Sequence, residues 1–361
     1  RCNANLEPIL SKQWFLRMKE LAKLAETAIK TGEVKFYPKN FEGPYLNWLK
    51  NIRDWCISRQ IWWGHKIPLE GVNDVLDTWF SSALWPFATL GWPLDYARGK
   101  PKKNNDLQTF YPTDVLVTDR GIINLWVARM IFSGMEFIKK APFKDVYINA
   151  TVLTREGKRM SKSLGIGVDP LNLIEKYGAD ATRFGIIWQI MGAQDIKFME
   201  NNIVMGRKFC NKIWNIARYI IMKVPGSWDK YMYREKKGYP FSIDAISGSK
   251  SFGGSLRTAI QKVNNNLERY QFGTAAHIIY DYIWHKLADV YIEETKNQEN
   301  DEVKSNLVHH LINALRLLHP FMPFITEEIY QSLPIKNKQT CLMIERWPQV
   351  YETKKKQVRK K

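Results

Sequence analysis

The chain has 361 residues, 45% of them hydrophobic, and a formal charge of +18 from 54 Lys and Arg against 36 Asp and Glu. That length and apolar content are enough to bury sizeable cores in two or three domains. The charge favours a polyanionic partner. With no long apolar segment and no amphipathic basic helix, nucleic acid stands ahead of a membrane. Part of the excess sits in the tail Lys354–Lys361, a stretch suited to contacting RNA without sequence preference.

In chain order, Leu16, Leu21, Leu24 and Ala28 keep helical spacing between Leu10 and Ile29, with Gly32 as the stop, and the segment reads as a connector. The run Asn51–Pro68 is rich in tryptophan and contains His65. On residue type alone these are packing groups and a hydrogen-bonded structural histidine. Asp74–Pro93 has an acidic start, an apolar face and an end rich in Trp, Pro and Gly, which predicts a buried helix followed by a packed loop. Arg98–Asn105 is a basic, turn-rich surface segment. Asp114–Thr118 predicts a buried strand, Ile122–Phe137 a helix bearing Trp126, Arg129 and Met130, and Lys144–Thr154 a second strand-like run.

The loop that follows, Arg155–Pro170, sets Lys158, Arg159 and Lys162 around the hydroxyls of Ser161 and Ser163, with Gly157, Gly165 and Gly167 loosening the backbone. Such a loop suits a polyphosphate. Cationic groups can follow the charge on a departing pyrophosphate while hydroxyls and N–H groups hold the oxygens. Charge alone equally allows a solvated basic surface. Asp169 and Pro170 predict an N-cap and first helical residue, Gly178 a terminator, and Ala179–Ile190 a further helix. Beyond Asn201 the pattern is helical, with a stripe at Ile203, Phe209, Ile213, Ile216 and Ile220. A Gly/Ser/Lys-rich loop at 226–254 precedes helices at Leu256–Tyr270, Thr274–Lys296, Val303–His319 and Ile325–Leu333. The four cysteines, Cys2, Cys56, Cys210 and Cys341, lack paired spacing, which fits a reducing cytoplasm. The absence of an initiator Met or targeting segment reads as a fragment.

Several strings carry a resemblance. Arg159-Met-Ser-Lys-Ser163 resembles the Lys-Met-Ser-Lys-Ser signature of class I aminoacyl-tRNA synthetases, with Arg for the first Lys. Val168-Asp-Pro170, Leu173–Ala181, Trp62-Trp-Gly-His65 and Asp74–Ser82 resemble the valyl branch of that family. Phe209–Tyr219 and His319–Glu328 are similar to its anticodon-binding bundle, and Ser11–Phe15 to the return from its inserted editing domain.

The resemblance implies an α/β fold, a partial Rossmann-like class I synthetase catalytic domain followed by an all-α anticodon-binding helix bundle. Its boundaries are a connector at 1–38, the second half of the catalytic domain at 39–143, a stem-contact region with the signature loop at 144–200, the bundle at 201–349 and a basic tail at 350–361. It implies Lys162 as transition-state stabiliser with Arg159 as helper, and ATP contacts from Met160, Ser161, Lys162, Ser163 and Asp119. Trp79, Ile122 and Trp126 would wall a pocket for valine, and Asn215, Arg218 and Tyr219 would contact tRNA. ATP with Mg2+ would be used, and the expected partners are tRNA and valine, with no membrane.

Three departures accompany it. The family's Thr-Gly-x-Asp-Ile-Ile is here Thr118-Asp-Arg-Gly-Ile-Ile123, with acid and glycine interchanged. No His-Ile-Gly-His signature is present, and the often zinc-binding module that commonly follows Ile-Pro is missing after Pro68, so no zinc is expected. The implied parent activity is valine–tRNA ligation, with little or no activity in this chain alone. The alternatives are a silent tRNA-binding synthetase fragment and an isoleucyl or leucyl relative.

Overall fold

The computed structural model describes residues 5, 10–92, 106–161, 165–192, 194–231, 252–336 and 338–350. Lys162, Ser163, Cys2, the basic segment 98–105, most of the 226–254 loop and the tail 351–361 lie outside the described residues. The chain divides into two compact units, 1–149 and 150–361.

The first unit runs β1 Phe15–Leu16, α1 Lys19–Lys30, β2 Lys35–Tyr37, α2 Glu42–Lys50, β3 Trp55–Cys56, β4 Ser58–Arg59, β5 Val75–Leu76, α3 Thr78–Ala88, α4 Asp106–Phe110, β6 Thr113–Asp119, α5 Ala128–Phe137 and β7 Phe143–Asn149. Strands β2, β7 and β6 form a parallel sheet in that order, with Phe36 opposite Val146 and Val117 opposite Tyr147. One face of the sheet, with Phe36, Val146 and Ile148, buries against the small residues of α1 (Ala22, Ala25, Ala28) and the apolar side of α5. The residues read as a connector therefore include core: Met18 and the three alanines are sealed, because alanine lets a helix settle closely on a sheet and a neighbouring helix. Likewise residues 144–149, assigned to the following region, complete β7 and hydrogen-bond within this sheet. The helix expected from Leu10 starts only at Lys19, since Phe15 and Leu16 pair with Cys56 and Trp55.

Strands β4 and β5 form an antiparallel pair that closes the segment between them. The Ile67 amide donates to the Asp74 carbonyl and the Leu76 amide to the His65 carbonyl. His65 is exposed, and its part in the fold is through its backbone. The helix expected over 122–137 begins in two tighter and wider turns, 3-10 at Arg120–Ile122 and π at Ile123–Val127, before settling as α5.

The second unit runs β8 Val152–Leu153, α6 Pro170–Tyr177, α7 Ala179–Trp188, β9 Ile196–Lys197, α8 Glu200–Lys223, α9 Phe252–Leu267, α10 Phe272–Asp281 with a π continuation Tyr282–Ile292, α11 Glu293–Thr295, α12 Asp301–Leu318 and α13 Pro323–Ser332. Asp169 caps α6 through the Leu171 amide at 2.9 Å, with Pro170 at its first position. The stripe of Ile203, Phe209, Ile213, Ile216 and Ile220 on α8 is buried, the last four in one core with Leu307, Leu311, Leu315 and Leu318 of α12. Helices α7 and α8 touch backbone to backbone: a Cβ on Gly185 would lie 2.7 Å from the Ile203 Cα, and one on Gly206 2.7 Å from the Ala181 carbonyl oxygen. From α7, the Asp180 carboxylate accepts from the Phe324 and Ile325 amides at the start of α13, and Arg183 donates to the carbonyls of Pro320 and Phe321. Among the described residues no helix is long and apolar enough to cross a membrane.

Two adjacent histidines of α12 are sealed in this core. Burial pushes His309 down to about 4 and His310 to about 3, from an ordinary value of 6.5. Both stay neutral in the folded chain, and unfolding releases them to bind protons. Their share of stability is full above pH 6.5 and is lost as pH falls toward the folded values. Unfolding free energies from urea titrations at pH 7 and pH 5 should differ by about 2 kcal/mol per histidine. His310→Gln should flatten that difference, and an unchanged pH dependence in the variant would contradict it.

Candidate functional site

The signature loop belongs to the second unit. Its start is a tight hairpin: the Thr154 amide donates to the Lys158 carbonyl, the Gly157 amide to the Thr154 carbonyl, and Leu153 bridges Arg159. A second small turn is closed by Ser161 and Ile166, which exchange both backbone hydrogen bonds at 2.7 and 3.2 Å. Gly157 and Gly165 take φ of +83° and +65°, conformations that side chains resist, so these two glycines are what allow both turns. Arg159 is exposed, while Met160 and Ser161 are half-buried. Beneath the loop lies a cleft of about 570 Å³ lined by Thr154, Met160, Ile166, Gly167, Phe198 and Met199 among others. The loop is thus a cationic hairpin with its hydroxyl and amides at the turn, and Lys162 and Ser163 fall just beyond the described part.

The expected apolar wall belongs to the first unit. Trp79 opens α3, Trp126 lies in the π turn, and Ile122 ends the 3-10 turn before it. Helix α3 packs on the π turn and on α5, and Trp79 and Trp126 both pack, half-buried, against the same core; Ile122 is also half-buried. A π turn beside a strand end is a frequent device for aiming side chains at a ligand. Asp119 ends β6 at its carboxyl end, the side of a parallel sheet where ligands sit. Its Oδ1 accepts from the Gly121 amide at 2.7 Å, so the carboxylate caps the turn that carries Ile122. The interchange of acid and glycine therefore has a local structural use, one that orients the turn.

A residue that sequence reasoning passed over organises this region. Asp77, 3% exposed, accepts at Oδ2 from Trp55 Nε1 at 2.9 Å, Arg129 at 3.1 Å and Arg59 at 3.0 Å, and at Oδ1 from the Trp79 amide. The Arg129 guanidinium also lies over the Trp55 ring, 3.6 Å from its centroid. The signal was available: an Asp directly before Thr-Trp-Phe is an N-cap pattern.

On α8, Asn211, Trp214, Asn215 and Arg218 share one exposed face. Asn215 donates to the Asn211 carbonyl at 2.9 Å. Tyr219 instead packs against the core, and its buried hydroxyl has no hydrogen-bond partner among the described residues. Trp214, 44% exposed, stands on the same face as Asn215 and Arg218 and was not singled out from the sequence. Among the described residues no group of three or more His, Cys, Asp or Glu is placed to hold a metal ion.

The sequence matches the family described as tRNA synthetases class I (I, L, M and V) over residues 4–70 and 69–199, and the anticodon-binding domain of tRNA ligase over 250–361. A Valine--tRNA ligase of Clostridium tetani (strain Massachusetts / E88) is 44% identical over 399 aligned residues, covering 100% of this chain and 43% of that protein. One of Petrotoga mobilis (strain DSM 10674 / SJ95) is 41% identical, with 98% and 42% covered. The chain therefore spans less than half the length of these relatives. The first alignment is longer than the chain itself, and the class I match falls in two stretches that meet at residues 69–70. Among solved structures, Mycobacterium tuberculosis methionyl-tRNA synthetase bound by methionyl-adenylate matches with TM-score 0.67 at 18% identity, covering 88% of this chain and 62% of that one. The Agrobacterium radiobacter K84 agnB2 LeuRS-tRNA-LeuAMS ternary complex matches with TM-score 0.62 at 19% identity, covering 83% and 42%. These two likenesses concern the fold alone.

Proposed function

This chain belongs to the class I tRNA synthetases, in the group of the valine–tRNA ligases, and from that premise we propose that it supplies part of an ATP-dependent machine joining valine to its tRNA. The observation that supports this most is the glycine-shaped cationic loop from Thr154 to Val168, whose backbone turns present Arg159, Met160 and Ser161 together.

In the proposed reaction a valine carboxylate oxygen attacks the α-phosphorus of ATP and the bond to pyrophosphate breaks. A terminal tRNA hydroxyl then takes the acyl group from the adenylate and AMP leaves. Little covalent work falls to side chains, so positioning and charge stabilisation dominate. Lys162 is assigned to the charge on the departing pyrophosphate, with Arg159 as helper. Ser161 and Ser163 hold phosphate oxygens, and Asp119 orients the turn facing the nucleotide. Trp79, Ile122 and Trp126 wall a niche for a small branched side chain. Mg2+ would arrive on the ATP phosphates, a mode that needs only one or two carboxylates. The reading carries a cytoplasmic setting, supported by the scattered cysteines.

A second reading, a tRNA-binding part without catalysis of its own, is favoured by the exposed α8 face of Trp214, Asn215 and Arg218 and by the +18 charge. Two assays test them. Valine-dependent pyrophosphate exchange by this chain alone is expected to be near background, because the His-Ile-Gly-His signature is absent. Filter binding of tRNA is expected to weaken by about tenfold or more between 50 and 200 mM salt. Robust exchange would defeat the second reading, and salt-insensitive or absent tRNA binding would defeat both.

A further inference from the structure

Behind the Asp77 cluster the first unit holds a cleft of about 490 Å³ whose lining includes Arg53, Arg59 and Arg129. Asp54 is the other charged group on its wall, and Asp77 lies just behind. Three guanidinium groups thus face two carboxylates, and both carboxylates are already engaged, Asp54 by the Met18 amide and Asp77 by four donors. Arg129 is the informative member. Its side chain is only 12% exposed, yet among the described residues its Nη1 alone is hydrogen-bonded, to Asp77. Its Nε and Nη2 are not among the buried atoms left without a partner, so these donors open into the cleft that Arg129 lines. A guanidinium edge with unspent donors, held in place by Asp77, is suited to the oxygens of an anion. Trp48 and Ile52 line the same cleft, both half-buried, and the Trp48 ring is an aromatic surface of the kind that accepts the flat face of a base.

We propose that this cleft is a nucleotide-phosphate site, in which Arg129 holds the phosphate by its free edge, Arg59 and Arg53 supply the outer charge, and Trp48 receives the base. Its lining includes none of Trp79, Ile122 and Trp126. The proposal rests on the tRNA reading for one of its two sources, an RNA strand; the other is a free nucleotide.

The test uses the full chain with AMP, inorganic phosphate and tRNA as probes, and the variants Arg53→Ala, Arg129→Lys and, on α8, Arg218→Ala. Arg53 is exposed and among the described residues makes no side-chain hydrogen bond or ion pair, so its variant guards against misfolding in the other. AMP is expected to bind more tightly than inorganic phosphate, and both cleft variants to weaken AMP about tenfold while the circular dichroism is unchanged. If RNA is the source, AMP competes with tRNA and the Arg53 variant lowers the salt slope of tRNA binding by about one. If a free nucleotide is the source, AMP binding falls in the variants and the tRNA slope does not move. Loss of tRNA affinity in the α8 variant but no response to any probe in the cleft variants keeps the tRNA reading and overturns this site. AMP binding in a chain that does not bind tRNA keeps the site and overturns the reading.

Discussion

Gly273→Ala is expected to be the most damaging single methyl group that can be added to this chain. Gly273 lies in the first turn of α10, where a Cβ would stand 1.8 Å from the Ile190 carbonyl oxygen and 3.1 Å from that of Ile187. Both obstacles are backbone, Ile187 in the last turn of α7 and Ile190 just past it, and cannot swing aside as a side chain can. The helices must part, and the aromatic contacts nearby, including Trp188 stacked on His277 at 3.5 Å, part with them. Overpacking of this kind costs about 3 kcal/mol or more, which lowers the thermal midpoint by roughly 10 °C for a unit of this size. Gly254→Ala makes the matched comparison, since a Cβ there meets nothing within 4 Å and a helical alanine gains up to about 1 kcal/mol. Equal midpoints for the two variants in a thermal scan would show that α7 and α10 do not meet as described.

Removing the carboxylate of Asp77 should come next in severity. Asp77→Ala leaves Arg129 and the Trp55 indole N–H without their acceptor inside the core and takes the cap from α3. Breaking a buried charge pair from one side costs about 3–5 kcal/mol, more than the roughly 1 kcal/mol of a lost cap alone. Asp77→Asn separates the two contributions: an amide oxygen can still cap, but its charge is gone, so most of the loss should persist. Arg59→Ala, which removes the more exposed of the two cations, should cost far less. Urea titrations ranking Asp77→Asn with Arg59→Ala would contradict the charge argument.

These two sites mark where the sequence was readable and where it was not. Long periodic stretches announced themselves: the α8 stripe and the Val303 to Leu318 run are buried as their spacing predicts, and Asp169, Pro170 and Gly178 bracket α6. Short pieces did not. Lys35-Phe-Tyr37 is three residues long, too few for any alternation to register, yet it is a full member of the sheet because β7 recruits it from far along the chain. The first turns of the 122–137 helix kept an apolar pattern that says nothing of whether a turn is tight or wide, so the 3-10 and π geometry was invisible. At the site, the loop glycines were legible as loosened backbone, and the two with positive φ explain its turns. Asp77 was not, because a buried acid is recognised by the cations it meets, and Arg59 and Arg129 lie on either side of it in the sequence, Arg129 52 positions away. Tyr219, a tRNA contact on the resemblance, has its hydroxyl buried, and Trp214, which the reading did not single out, is exposed on the face of Asn215 and Arg218.

The anchoring of the 320–325 corner by α7 bears on how the chain is made. Asp180 and Arg183 leave the ribosome well before the backbone groups they bind, the carbonyls of Pro320 and Phe321 and the amides of Phe324 and Ile325. During synthesis the acid and the base on α7 therefore wait, solvated, for partners some 140 positions downstream, and the helical unit locks only when its last corner arrives. A nascent chain halted short of Pro320 would carry a finished first sheet and an unlatched second unit, the state in which proteases and chaperones have their best access.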